Sequence, residues 1–191
     1  MRRHLLLITL LCGAAFAPAL SAPGPGLPPA PDAEVRRAFF DNLRRMCGRQ
    51  YEGATRFPPD ADHPLAGKKL LLTIGPCSEG EVRVPFHADE DKSRTWVFTR
   101  TEKGLLFKHD HRHPDGTPDR VTMYGGWAAP GGTPREQRFP ADDETAKLIP
   151  EAATNVWTLR LSPDGGELTY RLERHSKPRY EATFKLRPAA P

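Results

Sequence analysis

The sequence predicts a mainly β protein: a single antiparallel meander barrel of about nine or ten strands with one N-terminal helix. From residue 70 onward, apolar residues alternate with polar ones, which is the period of a strand with one buried and one wet face. Tight turns rich in Gly, Pro and Asp separate these segments, as in Pro163–Gly166. A single sheet of this length curls, so we expect closure into a barrel, with a β-sandwich as the alternative.

Residues 1–22 have the pattern of a secretory signal peptide. Arg2 and Arg3 precede the apolar run Leu5–Ala17, and small residues follow. The run is shorter than the roughly 20 apolar residues of a membrane-spanning helix. We therefore expect a periplasmic or secreted protein without a membrane span.

Composition argues against a nucleic-acid partner. Removing residues 1–22 leaves 26 basic and 24 acidic side chains, and basic and acidic residues are interleaved along the chain. Nucleic-acid binding normally needs a concentrated basic surface. The Pro/Gly/Ala stretch that follows predicts a disordered linker over 23–32, and the folded domain is expected over 33–188.

The domain begins with an amphipathic helix. Val35, Phe39, Leu43 and Met46 recur at helical spacing, and arginines occupy the other face. Gly48 suits the left-handed end of such a helix.

Cys47 and Cys77 are the two cysteines of the expected mature chain. In an exported protein such a pair usually forms a disulfide. A metal ligand pair or two free thiols are the alternatives.

Strand alternation is clearest in the C-terminal third. Trp157, Leu159 and Leu161 share one face, and the two segments after it repeat the pattern. A short helix is expected before them, within Asp142–Ala152.

The most unusual segment is His109-Asp110-His111-Arg112-His113. Alternation places the three histidines on the face that begins with Leu105 and Phe107, and Lys108, Asp110 and Arg112 on the wet face. Imidazole is a common ligand of zinc and copper, so His109, His111 and His113 are candidate metal ligands. His87 and Asp119 are the candidates for a further donor. The alternative is that His113 is solvated while His109 and His111 hydrogen-bond to neighbouring strands.

Inward-facing aromatic residues suggest a second kind of site. In a sandwich they would fill the core, whereas in a barrel they can line a cavity for a small apolar ligand. The candidate ligand-binding residues are Trp96, Phe98, Phe107, His109, His111, Trp157 and Tyr170.

The segment Gly48-Arg49-Gln50-Tyr51-Glu52-Gly53, placed between a short helix and a strand meander, resembles the entry to the barrel in the calycin group of lipocalins and fatty-acid-binding proteins. The segments Val84–His87, Arg94–Val97, Lys108–His113 and Val121–Gly126 resemble a group of uncharacterised secreted proteobacterial proteins. The first resemblance implies a barrel with an internal ligand, and the second implies export.

We expect an exported binding protein that holds a small, largely apolar ligand inside the barrel. The alternative is a metal-binding protein or metal-dependent enzyme that uses the His-x-His-x-His strand. No Gly-x-Ser-x-Gly segment is present, so the sequence predicts no serine nucleophile of that type. Both mature cysteines are expected to be oxidised, so it predicts no thiol nucleophile either. The sequence leaves the oligomeric state open.

Overall fold

The computed structural model describes residues 32–58 and 63–188. The predicted signal peptide and almost all of the predicted linker lie outside these residues. The elements are α1 Asp32–Arg44, β1 Gln50–Phe57, β2 Leu70–Thr73, β3 Glu81–Ala88, β4 Asp91–Thr101, β5 Gly104–His111, β6 Tyr124–Trp127, β7 Glu136–Pro140, α2 Asp143–Leu148, the 3-10 turn Pro150–Ala152, β8 Asn155–Leu161, β9 Glu167–Arg174 and β10 Lys177–Leu186.

In the described part of the chain, ten antiparallel strands form one nearly closed barrel with one helix before the strands, which confirms the predicted fold class. The sheet order is β6-β5-β4-β3-β2-β1-β10-β9-β8-β7, so the first strand pairs with the last. Every other pairing joins sequence neighbours, as in a meander.

The remaining seam lies between β6 and β7, and hydrogen bonds flank it. The Ala129 N–H donates to the Arg138 carbonyl at 2.8 Å, and the Asp142 N–H donates to the Gly125 carbonyl at 3.0 Å. A Cβ atom on Gly126 would lie 1.7 Å from the Pro140 carbonyl oxygen. Glycine therefore permits the backbones to approach closely enough to close the barrel.

Helix α1 closes one end of the barrel. Its Phe39, Phe40 and Leu43 are fully buried, because their spacing places them on the face that meets the core. The Cys47–Cys77 disulfide, with a Cα–Cα distance of 6.3 Å, connects the chain just after α1 to the segment before β3 and confirms the predicted pairing. Such a bond fits an extracellular or periplasmic location.

The outer face of β5 departs from the prediction. Lys108 and Asp110 were expected to face water, yet the exposed fractions of their side chains are only 6% and 3%. The Lys108 ammonium donates to Asp142 at 2.6 Å, at the start of α2. Asp110 accepts from Arg83 at 2.6 Å and from Arg112 at 3.1 Å. The expectation was wrong because other segments cover this face and supply charged partners.

The short helix expected within Asp142–Ala152 forms as α2 and the 3-10 turn. Asp142 caps α2 by accepting a hydrogen bond from the Thr145 N–H at 2.9 Å. No helix in the described residues is long and apolar enough to cross a membrane.

Candidate functional site

A cavity of about 150 Å³ lies at the end of the barrel opposite α1. Its walls come from inward-facing positions of β3, β4, β5, β9 and β10, from the start of β6, and from the segment before β2. The lining residues are His63, Leu65, Phe86, Arg94, Trp96, His109, His111, Tyr124, Tyr170, Leu172, Tyr180 and Phe184. We call this space the mouth cavity.

Stacked aromatic rings line the mouth cavity. The Trp96 ring lies parallel to the Tyr170 ring at 4.6 Å and to the Phe86 ring at 5.5 Å, measured between centroids. Phe184 meets Trp96 edge-on at 6.1 Å. These rings pack on one another and form an apolar wall of the mouth cavity.

The barrel interior beyond the mouth cavity is filled. Phe98 stacks on Phe107 at 4.7 Å, and Phe107 lies 5.2 Å from Phe139. Phe98, Phe107 and Trp157 were predicted to contact a ligand, but they belong to this packed core and do not line the cavity. Trp96 and Tyr170 do line it.

His109 is buried and fully engaged in hydrogen bonds. Its Nδ1 lies 3.2 Å from the Tyr124 carbonyl oxygen, and its Nε2 lies 3.0 Å from the Tyr170 hydroxyl. A carbonyl oxygen only accepts, so we assign the ring proton to Nδ1 and the Tyr170 hydroxyl as donor to Nε2. Burial lowers the pKa of His109 to about 3, and the imidazole is therefore neutral at ordinary pH.

His111 lies closer to solvent on the same strand. Its Nε2 is 3.0 Å from the Tyr124 hydroxyl. Burial, and then the charge of Arg94, lower the pKa of His111 below its ordinary value. Burial raises the pKa of Tyr124 to about 12, so its hydroxyl keeps its proton and can donate to the imidazole.

The histidine row is not assembled as a metal centre. His113 is exposed, and His109 and His111 direct nitrogens at tyrosines rather than at a shared point. The candidate further donors, His87 and Asp119, do not line the mouth cavity either. Within residues 32–58 and 63–188, no group of three or more His, Cys, Asp or Glu side chains is placed to hold a metal ion. The zinc or copper hypothesis thus has no ligand set in the described part of the chain.

Arg94 is a candidate site residue that the sequence analysis did not identify. It lines the mouth cavity and forms an ion pair with Asp91 on the same strand. Burial opposes ionisation of Asp91, but hydrogen bonds from Ser93 and Arg94 lower its pKa to about 2. Arg94 precedes Trp96 by two positions, so strand alternation places both on the inner face, and that period was the signal available.

Tyr180 supplies a further polar group. The Tyr180 hydroxyl is 3.1 Å from Thr55 Oγ1. The Thr55 hydroxyl donates to the Leu65 carbonyl at 2.9 Å. The His63 ring stacks on Tyr180 at 4.7 Å. The mouth cavity therefore combines aromatic side chains with the Arg94 guanidinium, tyrosine hydroxyls and the imidazoles of His109 and His111, a set of groups suited to binding a small molecule.

No protein-family profile matches the chain, and no curated protein is similar to it. Among solved structures, the chain is similar to a de novo designed fluorescence-activating β-barrel, with 9% sequence identity and a TM-score of 0.29. That likeness covers 76% of this chain and 97% of the designed chain. No family match supports lipocalins or fatty-acid-binding proteins specifically.

Proposed function

We propose that the protein is an exported binding protein that holds one small, largely apolar ligand in the mouth cavity. The single observation that carries this proposal is an unfilled, aromatic-walled space of about 150 Å³ at the open end of an otherwise filled barrel. A concave space with mainly apolar, aromatic walls and a few polar groups is the usual form of a small-molecule site.

Size limits the ligand class. An engineered apolar cavity of about 150 Å³ in another protein admits benzene, so a ligand with one ring is the expected scale here. A long acyl chain would have to displace Phe98 and Phe107, which are at most 2% exposed. The apolar part of the ligand is expected to contact the accessible edges of Trp96 and Tyr170, and its polar part to face Arg94.

Export is part of the same proposal. It is supported by the signal-like residues 1–22, by the linker-like residues 23–32, and by a disulfide in the domain spanning 33–188. We also propose a calycin-type origin. It is supported by the segment 48–53, which follows α1 and leads into β1.

Calorimetric titration with p-cresol tests the binding proposal, because this probe has one aromatic ring and one hydroxyl. We expect a dissociation constant of about 0.1–1 mM, the range for a ligand of so few atoms. Leu172→Trp places an indole in the mouth cavity and should abolish the binding heat. Arg171→Trp is the matched control, because it puts the same side chain on the outer face of the same strand, and it should bind like the parent.

Two outcomes would contradict the binding proposal. One is the absence of binding heat in the folded parent protein. The other is equal binding by the parent and Leu172→Trp, since the ligand would then lie elsewhere. Export is tested separately by sequencing the N-terminus of the protein recovered from the periplasm or medium; an uncut N-terminus confined to the cytosol would contradict it.

A further inference from the structure

A second cavity, of about 240 Å³, lies at the α1 end of the barrel, away from the mouth cavity. We call it the arginine cavity. Its lining comes from the end of α1, the chain leading into β1, the segment before β7 and the β8–β9 turn. Met46 and Leu161, which are 4% and 3% exposed, form its apolar floor.

Three exposed arginines from three different chain segments line this cavity: Arg45, Arg49 and Arg135. Within the described residues, no carboxylate oxygen lies within 4.0 Å of a guanidinium nitrogen of these three arginines. In contrast, Arg160 on the outer face of β8 pairs with Glu136 at 2.5 Å. The arginine cavity thus concentrates positive charge that the protein does not neutralise by direct pairing.

Asp164 is the one carboxylate among the described residues that line the cavity, and it makes hydrogen bonds within the β8–β9 turn. Its Oδ1 accepts hydrogen bonds from the Ser162 hydroxyl at 2.6 Å and from the Gly166 N–H at 2.9 Å. These hydrogen bonds, and to a lesser extent the charge of Arg49, lower the pKa of Asp164. One such carboxylate opposes three guanidinium groups, so the lining has an excess of two positive charges.

Neutral groups hold two of the arginines in place. Arg49 donates to the Gly165 carbonyl at 3.4 Å, and Arg45 donates to Asn42 Oδ1 at 2.6 Å. The Asn42 amide in turn donates to the Pro134 carbonyl at 2.8 Å, which ties α1 to the residue preceding Arg135. These hydrogen bonds leave most of the guanidinium N–H groups available to a ligand.

We propose that the arginine cavity binds a compact oxyanion of the phosphate or sulfate type, carried on a small molecule or on a lipid headgroup. Guanidinium groups match the oxygens of such anions through paired, charge-assisted hydrogen bonds. The cavity is larger than the anion, and its Met46 and Leu161 floor suits the attached carbon skeleton. The arginines converge on one pocket instead of forming a stripe, which favours a compact anion over a nucleic-acid strand.

Calorimetric titration of the purified protein with inorganic phosphate at low ionic strength tests this proposal. We expect a dissociation constant of about 1 mM or tighter. Arg135→Gln should weaken binding about tenfold, because it removes charge-assisted hydrogen bonds. Arg160→Gln is the control that removes an equal charge from the outer face, and it should change the affinity less than about twofold.

The proposal is overturned if no heat appears up to about 10 mM phosphate. It is also overturned if Arg135→Gln and Arg160→Gln weaken binding equally, because the attraction would then come from net charge alone. Equal urea midpoints for the two variants establish that both are folded.

Phosphatidylcholine vesicles that contain phosphatidic acid identify the source of the anion. Co-sedimentation that free phosphate abolishes would support the site and assign it to a lipid headgroup. Phosphate binding without co-sedimentation would support the site and assign it to a soluble compound. Co-sedimentation insensitive to both phosphate and Arg135→Gln would contradict it.

Discussion

Replacing His109 with glutamine should reduce the loss of folding free energy that the protein shows as the pH falls below about 6.5. The imidazole is 4% exposed and is held neutral between the Tyr170 hydroxyl and the Tyr124 carbonyl. Its pKa is about 3 in the folded protein, against about 6.5 in an unfolded chain. Below about pH 6.5 the unfolded state therefore binds a proton that the folded state does not, and stability falls as the pH decreases.

The size of this effect follows from the two pKa values. Relative to a state in which the imidazole is neutral in both the folded and the unfolded chain, His109 should lower the free energy of unfolding by about 1.4 kcal/mol at about pH 5.5 and by about 2.7 kcal/mol at about pH 4.5. Above about pH 7 the imidazole is neutral in both states and contributes no pH dependence. The Gln variant is expected to be less stable at neutral pH, but to lack this acid loss.

Urea unfolding followed by tryptophan fluorescence, at fixed ionic strength, gives the free energy of unfolding of both proteins across this range. Asp91 and Asp142 have lowered pKa values and also lose stabilisation in acid. They do so in both proteins, so the difference between the two profiles isolates His109. Parallel profiles, or a His109 ring that titrates near its ordinary pKa by NMR, would refute the reasoning.

Three further changes should affect stability in a calculable direction. Asp110→Asn removes a buried carboxylate that accepts from two arginines and should cost about 1–3 kcal/mol, measured by urea unfolding; a change below about 0.5 kcal/mol would show that the pairing is not stabilising. Reducing the Cys47–Cys77 bond opens a loop with a sequence separation of 30 and should cost about 3–4 kcal/mol, measured with and without reductant, whereas equal stability would contradict the constraint. Gly126→Ala places a Cβ atom 1.7 Å from a carbonyl oxygen at the barrel seam and should lower the melting temperature sharply. Gly80→Ala, whose Cβ would meet nothing closer than 3.9 Å, is its control, and equal melting temperatures would argue against a tight seam.

The strands could be predicted from the local sequence, because a strand with one buried face has an apolar residue at every second position. In β8, Trp157, Leu159 and Leu161 were expected inside and are buried. The burial of Lys108 and Asp110 could not be predicted in the same way. It depends on the residues at the start of α2 and on Arg83 of β3, and alternation on one strand gives no information about what covers its outer face.

The site was predicted only in part. Trp96, Tyr170, His109 and His111 were identified as inward-facing and do line the mouth cavity. Whether a barrel is filled or hollow depends on how side chains from many strands share its volume, and no single segment contains that information. Arg94 was missed because the sequence analysis assigned it to neither face of the strand, although its spacing of two from Trp96 places it inside.

The measurement that tests the central claim most directly is the set of intermolecular nuclear Overhauser effects between p-cresol and the folded protein. We predict contacts from the ring protons of the probe to Trp96, Tyr170 and Leu172, and loss of these contacts in Leu172→Trp. Contacts only to outward-facing residues, or none at a probe concentration of about 10 mM, would contradict a ligand site in the mouth cavity.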